Sequence, residues 1–460
     1  VMKMKKNKIR VISAVVSAIM LASSASVFAK FDAYNDPDGF TLGHYEVEVN
    51  QEQRADTEKL YEQRPKNERQ FENLSRGLVA VPGENGTLVS WRFLGTDSNS
   101  LTYNLYCSGE KLNDKPITTT NFFHTGASTN AEYTLKEVEN GEETGVEYTT
   151  TAWDKNYIGF KVTEREGYNI DDGAVADLDG DGEYEILLRR VPSMDVNTRT
   201  SYPVIEAYKT DGTHMWTIDI GPNEINEVDI NFLAYDMDGD GKAEVIMRSF
   251  EGTTDGKGNT TGDTNGDGIT DYSKSESNLA IFKDRQYIVS TPEFLSIYDG
   301  ETGEETDRTD LKPSKEPLSD WSYRYSDTGR LTKRASHYLF GLAYLDGVTP
   351  SVVMVRGAWD NVRAAAWHIE DGKFKEDWVH NTENKDDVNS IWGACNHNLV
   401  TVDVDFDGKD EILSGPMAID HDGSEMYAVK VYDNDGNAQK LAHGDAFDVA
   451  KTDPDFNGYM

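Results

Sequence analysis

A repeated acidic loop is the feature of this sequence that most restricts its fold. Three segments carry acidic residues at positions 1, 3, 5 and 9 and glycine at position 6, and they begin at Asp177, Asp236 and Asp403. An apolar run enters each loop and a second apolar run leaves it. Self-similarity of this kind is the signature of repeat architectures, in which each repeat contributes one supersecondary unit. The loops therefore predict a fold assembled from successive, similar β-hairpins.

A second kind of hairpin lies between the acidic loops and turns at an Asp-Gly pair. Its turn residues recur at intervals of 90, 70 and 64 residues, at Tyr208, Tyr298, His368 and Tyr432. Two hairpins in each repeat make a four-stranded sheet, and several such sheets in succession make a β-propeller. An all-β sandwich with coincidental turns is the alternative, but the repetition favours the propeller.

The distribution of charged, apolar and turn-forming residues divides the chain into four parts. Residues 1–29 have a basic start, a short apolar run and small residues before Lys30, the pattern of a secretory signal peptide. The apolar run is shorter than the roughly 20 residues that span a bilayer, and no later run is longer, so we expect a secreted protein without a membrane span. Residues 30–70 are predicted as a polar linker, 71–166 as a small β-sandwich-like domain, and 167–460 as the propeller.

Charge and cysteine content narrow the possible partners. The 460 residues hold 82 acidic and 45 basic side chains, a net charge of −37. Such a surface repels phosphate backbones and anionic lipid, which argues against nucleic acid and membrane surfaces as partners. Cys107 and Cys395 could pair in an exported protein, but two cysteines make no disulfide framework, so free thiols are favoured.

The acidic loops have the chemistry of calcium sites. Calcium takes six to eight hard oxygen ligands, and glycine lets a tight loop close around them. These are not EF-hands, because position 12 is Leu188 in the first loop and Met247 in the second. A fourth segment with the same oxygen spacing begins at Asp263. We therefore predict structural calcium at Asp177, Asp179, Asp181 and Glu185; Asp236, Asp238, Asp240 and Glu244; Asp263, Asn265, Asp267 and Asp271; and Asp403, Asp405, Asp407 and Glu411.

Several motifs, in order, carry a family resemblance. They are Arg-Gly-Leu-Val-Ala-Val at 76–81, Phe-Leu-Ala-Tyr-Asp at 232–236, Leu-Ala-Tyr-Leu-Asp-Gly at 342–347, Asn-His-Asn-Leu at 396–399 and His-Gly-Asp-Ala at 443–446. With the calcium loops, this set resembles the rhamnogalacturonan lyases of polysaccharide lyase family 11. The resemblance implies an eight-bladed, calcium-binding β-propeller that cuts a pectic polysaccharide, the backbone of rhamnogalacturonan I, by β-elimination.

The resemblance also implies site residues. It assigns the ligands of an active-site metal, calcium with a transition metal left open, to His397, His443 and Asp445. The matched positions of three strand-end arginines carry Lys or Arg in the family, which implies that they grip the uronate carboxylates of the substrate: Arg189, Arg248 and Arg356. Two tryptophans are candidates for stacking on sugar rings, Trp359 and Trp392.

Departures from the family pattern leave a second function open. Val228 stands where the family usually has a histidine, and Ala358 to Asn361 replace the aromatic and basic residues that usually follow Arg-Gly. Residues 167–445 hold about four repeat units, so we expect a C-terminally truncated ring, and no residue is assigned as the catalytic base. The complete protein is expected to be a monomer. The alternative is a non-catalytic, calcium-stabilised propeller that binds polysaccharide or a cell-surface partner.

Overall fold

The computed structural model describes residues 51–126, 130–193, 201–224, 230–283, 285–321, 326–357, 361–432, 436–441 and 443–450, with one short strand pair before them. The predicted signal peptide lies outside the described residues except for its last two. Over the described ranges the protein is nearly all β, with two α-helices, α1 (Gln51–Gln63) and α2 (Thr328–Ser336). Neither helix has the length and apolar content that crossing a membrane requires. The predicted all-β class is confirmed for the described residues, apart from these two short helices.

Two antiparallel sheets form the N-terminal part. After the pair β1 (Phe28–Ala29) and β2 (Tyr45–Glu46), the strands are β3 (Val79–Gly83), β4 (Gly86–Ser90), β5 (Thr102–Cys107), β6 (Glu110–Lys111), β7 (Asn121–Thr125), β8 (Glu132–Glu139) and β9 (Glu142–Thr151). Strands β3, β4 and β7 make one sheet, and the order β6-β5-β8-β9 makes the other. A shared apolar core, including Trp91, Tyr103 and Leu135, fills the space between them.

Four antiparallel, four-stranded sheets come next along the chain. The first holds β10 (Tyr168–Ala176), β11 (Glu185–Pro192), β12 (Val204–Tyr208) and β13 (His214–Asp219), and the second holds β14 (Phe232–Tyr235), β15 (Glu244–Phe250), β18 (Glu293–Tyr298) and β19 (Glu305–Asp310). The third holds β20 (Tyr338–Ala343), β21 (Ser351–Arg356), β22 (Arg363–Glu370) and β23 (Lys373–Asn381). The fourth holds β24 (Val400–Val402), β25 (Glu411–Leu413), β26 (Met417–Ile419) and β27 (Glu425–Ala428). Two separate hairpins are β16 (Leu279–Phe282) with β17 (Arg285–Ile288), and β28 (Lys430–Tyr432) with β29 (Ala438–Lys440).

The four sheets pack face to face in chain order. Successive side chains of a strand point to opposite faces, so a central strand can serve two cores. In β15, Val245 and Met247 join the core shared with the first sheet, whereas Ile246 joins the core shared with the third. In β21, Met354 faces the second sheet and Val353 the fourth. This alternation explains why the inner strands are buried on both faces.

A β-bulge recurs where the third strand of each sheet meets the fourth. It lies at Ala207/Tyr208, Ile297/Tyr298, Ala366/Trp367 and Ala418/Ile419. In the first three sheets the bulge coincides with the predicted Asp-Gly hairpin. The fourth predicted hairpin, at Tyr432, also forms as β28-β29, but it is a separate two-stranded sheet and not part of the fourth four-stranded sheet. The fourth sheet closes instead at Gly423, whose amide donates to the carbonyl of Asp420 at 2.9 Å.

The segment predicted as a polar linker holds α1 and a stretch that binds the acidic loops. We call residues 64–76 the docked segment. Asn67 donates to the carbonyl at the sixth position of the Asp403 loop at 2.9 Å, and the amide of Ser75 donates to the equivalent carbonyl of the Asp177 loop at 2.8 Å. Gln70 donates to the first carbonyl of the Asp236 loop at 3.3 Å. The docked segment therefore joins loops from three different sheets.

Candidate active site and metal loops

The acidic loops at Asp177, Asp236 and Asp403 share one internal hydrogen-bond pattern. Asp177 accepts hydrogen bonds from the amides of Gly180 and Gly182, both at 2.8 Å, and Glu185 accepts from the amide of Leu178 at 2.8 Å. The Asp236 loop repeats all three contacts. The Asp403 loop repeats two of them, the bond from the position 6 amide to the aspartate at position 1 and the bond from the position 2 amide to the glutamate at position 9. The repeated pattern turns the carboxylates of positions 1, 3 and 9 towards one another.

The ligand atoms of these three positions lie within 4.8 Å of one another in each loop, as the groups Asp177, Asp179 and Glu185; Asp236, Asp238 and Glu244; and Asp403, Asp405 and Glu411. The position 5 carboxylates lie outside these three groups. Each of these carboxylates accepts a hydrogen bond from an amide of its own loop at 2.8–2.9 Å; they belong to Asp181, Asp240 and Asp407.

The gathered carboxylates fit a hard divalent cation. Oδ1 of Asp179, Oδ1 of Asp403 and Oε1 of Glu411 are buried, and none has a hydrogen-bond partner in the described part of the chain. Burial, and then repulsion by the other carboxylates of the loop, raises the pKa of Glu244 to about 8 and that of Glu411 to about 9. A bound cation would supply both the missing partner and the opposite charge.

The Asp263 loop shares the turn but not the gathered ligands. Asp263 accepts from two glycine amides of its own loop, at 2.6 and 2.8 Å. Asp271 instead accepts from the amide of Ser273 and pairs with Lys274 at 2.8 Å, and Asn265 donates to Asp267. The geometry therefore gives the calcium prediction for this loop no support.

The Asp403 loop has a nitrogen donor nearby that sequence reasoning missed. Nδ1 of His421 lies 3.6 Å from Oδ2 of Asp407, and the two residues form a possible ligand group with Glu411. Nε2 of His421 lies 2.9 Å from the ammonium group of Lys409. The available signal was the Asp420-His421-Asp422-Gly423 turn, which closes the sheet that carries this loop.

His397, His443 and Asp445, which we call the histidine centre, lie together. Their ligand atoms are within 4.8 Å of one another, and the two imidazole rings meet edge to face at 4.7 Å. Two asparagines hold the segments together: Asn396 accepts from the amide that follows His443 at 2.7 Å, and Asn398 donates to the carbonyl of Phe447 at 2.6 Å. These bonds bring residues about 48 positions apart in sequence to one site.

The environment of the histidine centre favours neutral imidazoles. Nδ1 of His443 lies 2.5 Å from the carbonyl of Cys395, a contact that requires a proton on Nδ1 and makes Nε2 the available metal ligand. Burial lowers the pKa of His443 and of His397, and the neighbouring His337 lowers the pKa of His397 further. Neutral imidazole is the form that binds a metal. Cys395 itself is a buried free thiol, and Cys107 is free and half-buried.

The three predicted carboxylate grips lie inside the protein. Arg356 is fully buried and donates to Glu293 at 3.0 Å, and Arg248 donates to the same carboxylate at 3.3 Å. Arg189 is also buried and is paired with Asp171. Each guanidinium group is thus engaged with a carboxylate of the protein, so these contacts lend no support to a role in gripping substrate.

The two candidate stacking residues differ in what can be said of them. Trp359 lies outside the described residues. Trp392 is half-buried and precedes Gly393, whose carbonyl accepts a hydrogen bond from the amide of His443 at 2.9 Å. Trp392 therefore stands beside the histidine centre along the chain.

Repeated four-stranded sheets, acidic loops with gathered carboxylates and a histidine centre define a nearly all-β protein with several side-chain groups that could hold a metal ion. Two family models match the chain: "Rhamnogalacturonan lyase family 11, C-terminal domain" over residues 159–460, and "Rhamnogalacturonan I lyases beta-sheet domain" over residues 69–153. The chain belongs to rhamnogalacturonan lyase family 11, as the sequence motifs predict.

Relatives of known name agree with this assignment. The chain is 37% identical to the rhamnogalacturonan endolyase YesW of Bacillus subtilis over 401 residues, and 37% identical to the exolyase YesX of the same organism over 407 residues. These matches cover 84% and 85% of this chain but 60% and 61% of the relatives, so the chain spans about three fifths of their length. The crystal structure of YesX superposes with a TM-score of 0.71, at 37% identity, over 86% of this chain and 63% of YesX. A Bacillus licheniformis rhamnogalacturonan lyase gives 0.70, at 37% identity, over 85% of this chain and 65% of that lyase.

Proposed function

We propose that this chain is a secreted, metal-dependent lyase that cleaves the rhamnose–galacturonic acid backbone of rhamnogalacturonan I by β-elimination. The observation that carries the proposal is the histidine centre, in which two neutral imidazoles and a carboxylate meet on the framework of a family 11 lyase. A purely adhesive or structural repeat protein has no need to assemble such a group.

The chemistry follows from the substrate. The C5 proton of a galacturonate residue lies beside a carboxylate, and negative charge grows on that carboxylate as the proton leaves. A bound metal ion neutralises this charge as a Lewis acid. His397, His443 and Asp445 would hold the ion, with Nε2 of His443 as a ligand and Nδ1 fixed by the Cys395 carbonyl. Calcium prefers the all-oxygen ligands of the acidic loops to a mixed set of nitrogen and oxygen ligands, so a transition metal is a candidate for the histidine centre as well.

We further propose that the four face-to-face sheets are blades of a calcium-stiffened β-propeller. The support is their shared order of strands, the recurring bulge and the single cores between neighbours. Calcium would occupy the Asp177, Asp236 and Asp403 loops, where buried carboxylate oxygens converge. Secretion is proposed from the basic and apolar character of residues 1–29.

Incubation of the full chain with rhamnogalacturonan I tests the proposal. β-Elimination creates a C4–C5 double bond, so ultraviolet absorbance should rise in step with new chain ends. New reducing ends without absorbance would indicate hydrolysis and refute the lyase mechanism. The variant His443→Asn should lose activity, whereas His214→Asn, at an exposed histidine of the first sheet, should keep it. Binding of the polymer without any cleavage would favour the non-catalytic alternative.

A further inference from the structure

Glu293, the first residue of β18, collects three cations in the interior of the protein. Its side chain is only 7% exposed, and it accepts hydrogen bonds from Arg356 at 3.0 Å and Arg248 at 3.3 Å. The ammonium group of Lys315 lies 3.7 Å away. Burial alone would raise the pKa of this carboxyl, but the surrounding cations hold it at about 2. Glu293 is therefore a charged hub that links three segments distant in sequence.

The two arginines pass the contact on to the end of α2. The carbonyl groups of a helix's last turn have no partner within the helix, and they form the negative end of its dipole. Arg356 donates to the carbonyl of Ala335 at 3.0 Å, and Arg248 approaches that of Ser336 at 3.4 Å. These two residues are the last of α2, so the cluster fixes where the helix ends.

His337 comes directly after α2 and meets the histidine centre. Its amide donates to the carbonyl of Lys333 at 3.2 Å, and its carbonyl accepts from Gly357, the residue after Arg356, at 2.8 Å. The ring of His337 meets that of His397 edge to face at 5.3 Å, and His397 in turn meets His443 at 4.7 Å. A continuous series of contacts thus runs from Glu293 to the proposed metal ligands.

We propose that Glu293 is a positioning residue of the histidine centre, acting through Arg248 and Arg356 on the last turn of α2 and thereby on His337. The proposal rests on the proposed function in so far as that function places a metal ion at the histidine centre. It also gives Arg248 and Arg356 a role that their buried contacts allow. The two arginines bind the last turn of α2, and that turn positions the imidazole ring of His337 against His397.

Zinc titration of the calcium-saturated full chain tests this, with Zn²⁺ as the probe and calorimetry as the measurement. Residues that orient metal ligands typically change affinity about 10- to 100-fold when replaced. Glu293→Gln keeps the shape and removes the charge, so zinc at the histidine centre should bind about 10- to 100-fold more weakly. The imidazole C–H signals of His337 and His397 in NMR spectra should also shift.

Glu206→Gln is the matched control. Glu206 is fully buried and pairs with Arg190 at 3.0 Å, but it lies on β12 in the first sheet. This variant should lose stability without changing zinc affinity at the histidine centre. The variant His397→Asn identifies which binding event belongs to that centre.

The outcomes separate two ideas. If wild-type zinc binding does not respond to His397→Asn, the metal assignment in the proposed function is wrong. If wild type binds zinc there and folded Glu293→Gln binds it equally well with unchanged imidazole signals, the positioning role is refuted. Should Glu293→Gln fail to fold, Glu293→Asp replaces it, because the shorter side chain keeps the charge but withdraws it from the arginines. Wild-type affinity in that variant would equally overturn the proposal.

Discussion

Replacement of Glu411 by glutamine should lower the stability of the protein when calcium is bound and should not lower it when calcium is removed. Glu411 opens β25, is fully buried, and has one carboxylate oxygen without a hydrogen-bond partner among the described residues. One of its carboxylate oxygens lies within 4.8 Å of the ligand atoms of Asp403 and Asp405. Glu411→Gln conserves the volume and removes the charge. With calcium present the variant loses a ligand, and without calcium it loses only a repelling neighbour.

The size of the effect follows from linkage. A site occupied at 100 times its Kd stabilises the folded state by about 2.7 kcal/mol, which is lost if the site no longer binds. For a protein of a few hundred residues, 1 kcal/mol shifts the melting temperature by about 2 °C. We therefore expect Glu411→Gln to melt roughly 5 °C lower than wild type in saturating calcium. In excess chelator the variant should melt at the same temperature as wild type or above it. Burial and the neighbouring carboxylates oppose the ionisation of Glu411 in the folded state and raise its pKa to about 9, a cost at neutral pH that glutamine does not carry.

Calorimetric melting curves of both proteins, with calcium and with excess chelator, measure this reversal. Asp267→Asn is the control, because Asp267 is an acidic residue at position 5 of the Asp263 loop. It is exposed and belongs to none of the possible metal-ligand groups found among the described residues. It should change stability by less than about 0.5 kcal/mol in either condition. An equal loss of stability for Glu411→Gln with and without calcium would show that the residue acts through packing, and the cation argument would be refuted.

Three further predictions concern the framework. Chelation should speed tryptic cleavage at Arg69, because the docked segment binds carbonyls of the acidic loops. An unchanged cleavage rate on gels would show that the docked segment does not depend on the metal state of these loops. Arg76→Ala should cost about 3–5 kcal/mol in urea denaturation, since it removes the counter-charge of two largely covered carboxylates, Asp97 and Glu137. Because the pKa of Glu293 falls from an ordinary 4.5 to about 2, its charge stabilises the fold above pH 4.5 and that contribution is lost towards pH 2. Acid unfolding of Glu293→Gln should therefore depend less on pH in this window than that of wild type.

The turns of the acidic loops were predictable because the information that sets them is local. Consecutive residues set each turn, and the sequence shows their glycines and carboxylates. Position 9 decides whether the ligands gather, and the direction of its side chain depends on the secondary structure that it enters. Glu185, Glu244 and Glu411 each begin a strand, which fixes that direction. Asp271 instead caps the 3₁₀ turn Tyr272–Lys274, so its carboxylate points to that turn. Equal spacing in the sequence thus gives unequal geometry.

The docked segment shows a limit of a different kind. Residues 64–76 are polar and lack apolar periodicity, which is also the pattern of an exposed linker. Three of their contacts are to main-chain carbonyls of loops more than a hundred residues away, as in the bond from Asn67 to Gly408, beside the ion pair of Arg69 with Asp410. A carbonyl carries no side-chain identity, so no residue type in the sequence indicates this contact. The N-terminal segment can therefore be located only in the folded chain.

The role of Arg248 and Arg356 could not be predicted from residue type and local position alone. Arg248 and Arg356 both follow apolar runs in the sequence, although in the structure Arg248 lies within β15 and only Arg356 ends its strand. An arginine at such a place can turn outward to a ligand or inward to a carboxylate. The choice depends on Glu293, which lies 45 residues from one and 63 from the other and has no distinctive local pattern. A buried guanidinium without a counter-charge is costly, so once Glu293 is in place the inward arrangement is strongly favoured. The same long-range pairing then carries the arginines to the carbonyls of α2, and through them to His337. Residues that resemble substrate contacts in the sequence thus become supports of the histidine centre in the fold.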